Sequence, residues 1–138
     1  MRIFVKLSPA GLVDAMAQAP DDWQGDIADL GGGYVELDPA PPAPFDAAAI
    51  WWTGSAWQER QPLPDPVLTE AAGELHYAWS DLPEGTTLSV EDGDTGQVLG
   101  TETEGAGAIT VELHQAGPYR LVMTAPPAWL PQDIGVVL

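Results

Sequence analysis

The chain has 138 residues and 45% hydrophobic content, enough for one domain or two very small ones and enough to bury a core. Twenty-one acidic residues face four basic ones (Arg2, Lys6, Arg60 and Arg120), giving a formal charge of −17 at pH 7. That balance excludes a basic stripe for nucleic-acid phosphate, disfavours an anionic membrane surface, and leaves either a solvated acidic face or a complement to a basic partner.

Cysteine is absent, which removes disulfides, thiolate nucleophiles and cysteine metal sites. No apolar run reaches the roughly 18 residues that a membrane span needs. The opening "MRIFVKLSPAG" has too short an apolar stretch for a signal peptide. Fifteen Gly and 14 Pro punctuate the chain in a way that suits short strands and turns.

In chain order, Arg2 to Leu7 reads as a strand. Ser8 before Pro9 has the form of a helix N-cap with a first-turn proline. Leu12, Val13 and Met16 stand at helical spacing, so a short helix is expected over residues 9 to 19, stopped by Pro20. "GGGYVELD", residues 31 to 38, reads as a flexible turn feeding a second strand. Pro39, Pro41, Pro42 and Pro44 make the next segment extended and polyproline-like.

Half of the six tryptophans then fall within one short stretch, "IWWTGSAWQERQPLP", residues 50 to 64. Ile50-Trp51-Trp52 and Ala56-Trp57-Gln58 flank Thr53-Gly54-Ser55, a turn signal with glycine available for positive φ, and predict a β-hairpin. Adjacent tryptophans on a strand point to opposite faces, so Trp51 and Trp52 cannot share a cover, while Trp57 can pair with either. A two-stranded hairpin is too small to bury both of its faces. The cover is therefore the rest of the chain, a neighbouring subunit, or a sugar ring stacked on an indole, and Trp51, Trp52 and Trp57 become the interface or ligand candidates.

Pro62, Pro64 and Pro66 read as a second spacer, placing a domain boundary between residues 66 and 67. Residues 1–66 form a docking region with proline spacers and the Trp hairpin. Residues 67–138 carry the clearest alternation: Leu75, Tyr77 and Trp79 share a face, as do Ile109, Val111 and Leu113, and Tyr119, Leu121 and Met123. With Leu88 and Val90, Val98 and Leu99, and Ile134 to Val137, six short strands separated by turn signals indicate an antiparallel sandwich, and an all-β chain.

Catalytic chemistry finds no foothold. There is no G-x-S-x-G elbow, no H-E-x-x-H pair and no phosphate-cradling glycine loop. His76 and His114 are the only imidazoles, and both fall on the polar faces of their strands. No catalytic residue, cofactor or metal ligand is expected. The alternating carboxylates Asp92 and Asp94 with Gly93 and Gly96 resemble a fragment of a calcium loop, but the twelfth position is Thr103, which cannot supply the closing bidentate carboxylate. A tight Asp/Gly turn accounts for the same residues, with a weak calcium site as the alternative.

Four segments in this order carry a resemblance: "MRIFVKLS", "YVELDPAPP", "WTGSAWQERQPLP" and "AGPYRLVMTAPPAW". Together they resemble small structural proteins of the tail modules of tailed bacteriophages, associated with the tail tip or tail fibre. The W-x-G-x-x-W pattern of Trp52, Gly54 and Trp57 resembles hairpins of fibre-associated proteins. "AGPYRLVMTA" is similar to the penultimate strand of bacterial and phage immunoglobulin-like domains, with Tyr119 in the place of the corner tyrosine and Gly117-Pro118 where a small polar residue is commoner. The resemblance implies an immunoglobulin-like sandwich, no enzymatic activity, and a place in the virion after synthesis in the host cytoplasm. The partners it implies are other tail or fibre proteins, together with copies of the chain itself. Two alternatives stand beside it: a carbohydrate- or receptor-binding module contacting a host surface glycan, and a capsid decoration protein.

Overall fold

A computed structural model describes all residues from Met1 to Leu138. The protein is nearly all-β, with twelve strands and one short 3-10 turn, and its contacts divide it into two compact units, Met1–Arg60 and Gln61–Leu138.

In the first unit, strand β1 (Arg2–Leu7) lies between β2 (Val13–Ala19) and β3 (Tyr34–Val35), and all pairings are antiparallel. The helix expected over residues 9 to 19 is thus a strand. The Ser8-Pro9 pair that mimics a helix start is instead a hairpin turn. The Ser8 amide donates to the Leu12 carbonyl (2.8 Å), the Gly11 amide to the Ser8 carbonyl (3.0 Å), and the Leu12 amide to Ser8 Oγ (3.1 Å). Side chains from Val13 to Ala19 alternate between half-buried and exposed, with Val13, Ala15, Ala17 and Ala19 facing inward. Alanines carry too little hydrophobicity to make that period visible, and Met16, which supplied the helical spacing, is exposed.

Phe4 and Val5 are each 1% exposed, which makes β1 the core of this unit. Trp23 packs edge-on against Phe4, with ring centroids 5.4 Å apart. The Arg2 guanidinium lies over both rings and holds Glu36 with two charge-assisted hydrogen bonds, 3.2 and 2.6 Å. Asp26 caps the 3-10 turn Ile27–Leu30, with Asp29 completing a capping box. The hairpin of β4 (Ile50–Trp52) and β5 (Trp57–Glu59) completes the unit.

The second unit has two antiparallel sheets. One carries β6 (Val67–Ala71), β7 (Glu74–Trp79) and β10 (Ile109–Leu113) in the order β10-β7-β6. The other carries β8 (Thr87–Asp92), β9 (Val98–Thr103), β11 (Pro118–Thr124) and β12 (Gln132–Val137) in the order β12-β11-β8-β9. The alternating residues meet as expected: Tyr77, Trp79, Leu88, Ile109, Val111, Leu113, Leu121 and Met123 are buried together. Trp79, 2% exposed, stacks on Tyr77 at 5.9 Å and donates its indole N–H to Gln132 Oε1 (2.8 Å), which ties β7 to the opposite sheet.

Seven strands are present where six were legible. The additional one, β6, is exposed along its whole length and shows no alternation. Residues 61–66, expected as a spacer in the docking region, lie in this unit. Leu63 is 5% exposed in the sandwich core, and Gln61 exchanges backbone hydrogen bonds with Ala128 (2.7 Å) and Leu130 (2.8 Å). Prolines keep this segment extended, and the extended chain edges the sandwich instead of leaving it.

Tyr119, at the start of β11, donates its hydroxyl to the Gln115 carbonyl (2.7 Å), a tyrosine bonding back to the corner that precedes its strand. The constant-type immunoglobulin order sets the fourth strand in the sheet of the first, second and fifth. Here the fourth strand, β9, pairs with the third, β8. The turn between them is too tight to let β9 cross to the other sheet: the Asp92 amide donates to the Gln97 carbonyl and the Gly96 amide to the Asp92 carbonyl, both 2.8 Å.

Candidate functional site

The hairpin predicted around Thr53-Gly54-Ser55 is present, with its register pairing Ile50 with Glu59, Trp51 with Gln58, and Trp52 with Trp57. Its loop is Thr53 to Ala56, one residue longer than the turn signal. The Thr53 amide donates to the Ala56 carbonyl (2.9 Å), and Thr53 Oγ1 accepts from the Ala56 amide (3.1 Å). Gly54 at φ +103 supplies the left-handed residue the loop requires. All four loop residues are exposed.

The register brings two of the three tryptophans together. Trp52 and Trp57 face each other across the strands with ring centroids 5.2 Å apart and planes tilted by 59°. Trp57 Nε1 donates to the Pro39 carbonyl at 2.9 Å, so the proline segment is fixed to the hairpin. Trp51 takes the other face, as adjacency on a strand requires. It bridges to Leu12, while the neighbouring Trp52 amide donates to the Gly11 carbonyl (2.9 Å).

Gly11 permits this close approach. Its φ is +91, and a Cβ there would stand 2.1 Å from the Trp52 carbonyl oxygen. The turn of Leu7 to Gly11 and the tip of the hairpin enclose a shallow cavity of about 230 Å³. Trp51 Nε1 is buried without a hydrogen-bond partner, so this residue serves through its ring and not its polar handle. Each of the three indoles is half-buried. The protein's own chain covers part of each ring and leaves the rest as an aromatic rim beside an exposed loop and the exposed Pro39.

A second cluster lies on the outer face of the three-stranded sheet of the second unit. The tripeptide Glu-Leu-His occurs twice, at residues 74–76 and 112–114, and the antiparallel register pairs Leu75 with Leu113 and His76 with Glu112. Two imidazoles and two carboxylates therefore alternate at the corners of a square. Glu74 holds His76 Nε2 at 3.0 Å and His114 Nδ1 at 2.9 Å, while Glu112 stands 3.8 and 3.5 Å from the other nitrogens of the same rings. Hydrogen bonds from His76 and His114 push the Glu74 carboxyl below its ordinary range. Taken singly, each histidine reads as a solvated side chain on a polar face. The repeated tripeptide is the signal that links them, and it becomes one only when the two strands are known to be neighbours.

The Asp92 carboxylate is turned onto its own loop, accepting from the amides of Asp94 (2.8 Å) and Thr95 (3.0 Å), and those bonds lower its pKa. No group of three or more His, Asp or Glu side chains is arranged to hold a metal ion. Comparison with protein-family models, with curated proteins and with solved structures returned no match.

Proposed function

We propose that this chain is a non-enzymatic structural component of a tailed-phage virion, seated at the distal tail or fibre attachment and acting through protein–protein contacts. The observation that carries the proposal is the tilted Trp52–Trp57 pair, held by Pro39 and left half-exposed beside a fully exposed loop. Aromatic side chains with few rotatable bonds, partly buried and locked by their neighbours, contribute large contact area at small entropic cost. Pro39 beside them loses little freedom on docking. The sequence resemblance to tail-module proteins supplies the setting.

The same geometry ranks the glycan-binding reading second. A sugar ring stacks on one flat, accessible indole face or on coplanar faces. Here the paired planes are inclined by 59°, and the Trp57 N–H is already donated to Pro39 and so is not free for a hydroxyl. A capsid-decoration role shares the contact chemistry and differs only in place.

The test is immunogold labelling and mass spectrometry of purified particles from an infected culture. Label at the distal tail is the expected result. Label on the capsid shell moves the chain to the decoration reading, and its absence from particles overturns the proposal.

A further inference from the structure

One long edge of the second unit's sandwich is formed by the end strands β9 and β10, the other by β6 and β12. Strands β9 and β10 each end their sheet, so each has one side with no neighbouring strand. Both border a single groove of about 340 Å³, lined by Val90, Leu99, Gly100, Val111, Leu113 and Tyr119. Gly100 and Val98 of β9 pair with consecutive residues of β8, which makes Leu99 a bulged residue on the edge strand. Bulges re-aim side chains, and this one sets Leu99, 53% exposed, at the mouth of the groove. Every residue of β9 is exposed.

Edge strands are commonly guarded by charge or proline. From Val98 to Thr101 there is neither, and the guard that does exist, Glu102, is negative. Between Gln61 and Leu138 the chain has twelve acidic residues and one base, Arg120, which is already ion-paired with Asp133 and Glu91. A second copy of so acidic a chain is repelled from this edge, whereas a segment with positive charge is drawn to it.

We infer that the β9 edge and the groove beside it form a strand-docking site for an extended segment of another protein in which apolar residues alternate with lysine or arginine. The added strand hydrogen-bonds to β9 and inserts every second side chain between Leu99 and the β10 wall of Val111 and Leu113. Its intervening basic side chains are drawn by the acidic surface of the unit, in which twelve acidic residues face a single arginine. The surface lies wholly within the second unit and holds whether or not the chain is a virion component.

The experiment uses the full chain and a synthetic peptide of about eight residues alternating valine and lysine, with a peptide of the same composition in two blocks as control. Saturable binding of the alternating peptide, with amide exchange slowed in residues 98–103, is the expected result. Leu99→Asp is expected to weaken binding by about tenfold. Val137→Asp, on the edge strand β12, is expected to leave it unchanged. Equal binding of the block peptide, protection spread over the acidic surface, or no loss with Leu99→Asp would overturn the inference. So would concentration-dependent dimerisation that slows exchange in the same residues, because the edge would then be occupied by a second copy. The protection pattern of the unsubstituted chain decides the matter even if a variant fails to fold.

Discussion

At the scale of single residues, the polar groups that reach the core show how narrowly the second unit is specified. The Trp79 indole N–H, deep in the sandwich, has Gln132 as its acceptor, and the other end of that amide donates to the Pro64 carbonyl at 3.3 Å. Gln132→Leu keeps approximate volume and strands the indole N–H. A buried unsatisfied donor costs about 1–3 kcal/mol, to be read as a lower urea midpoint with an unchanged slope. On the outer face Glu74 predicts a pH dependence. Its folded pKa lies below the ordinary 4.5, so the stability it brings is present above that value and is lost as pH falls through the folded pKa. Asp133, lowered by Arg120, and Asp92, lowered by its loop amides, act in the same acid window. Glu74→Gln is therefore expected to make stability fall less steeply below pH 4.5, leaving a residual slope from these two and from Glu36, which the Arg2 hydrogen bond also lowers. An unchanged slope in acid unfolding curves would show that the square of histidines and glutamates brings nothing.

Among the elements, the hairpin β4–β5 is the most informative because it is too short to stand alone. Three paired residues on each side give little ladder, and the hairpin relies on the Gly11 turn and the Pro39 segment for support. If its aromatic rim is a docking surface, Trp52→Ala and Trp57→Ala are expected to prevent incorporation into particles. Thermal unfolding of the second unit is expected to remain where it was, because neither residue belongs to its core. Normal assembly of both variants would remove the hairpin from the interface. A loss of folded structure in the first unit would instead make the pair a core element. Trp57→Phe separates the two roles: it keeps most of the ring and gives up only the bond to Pro39.

For the whole molecule, the division after Arg60 sets the expectation for fragments. Residues 61–138 contain a closed set of buried residues and are expected to unfold cooperatively on their own, followed by far-UV circular dichroism during a thermal melt. Residues 67–138 lack Leu63 and the Gln61 hydrogen bonds. Losing a buried leucine costs about 2–5 kcal/mol, so this shorter fragment is expected to melt several degrees lower or not to fold. Equal melting of the two fragments would mean that residues 61–66 are a linker after all.

The sequence by itself determined the all-β class, the Trp hairpin and most of the sandwich strands, because alternation with large side chains is a local signal. Leu75-Tyr77-Trp79 and Ile109-Val111-Leu113 announce their buried face without reference to any neighbour. Where the buried side chains are alanines, as in β2, or where a strand has no buried side, as in β6, the period fades and the assignment fails. Ser8-Pro9 illustrates a different limit: the same dipeptide opens a helix or a hairpin turn, and only the pairing of Val13–Ala19 with β1 chooses between them. Partnership across strands is likewise a tertiary matter. Nothing local to Trp57 says that it meets Trp52 and Pro39, nothing in either Glu-Leu-His says that the two copies face each other, and nothing in Val98-Leu99 says that β10 lies across a groove. Those contacts join residues far apart in the chain, so their energies exist only once the register and the stacking of the sheets are set, and that is why the structure alone decided them.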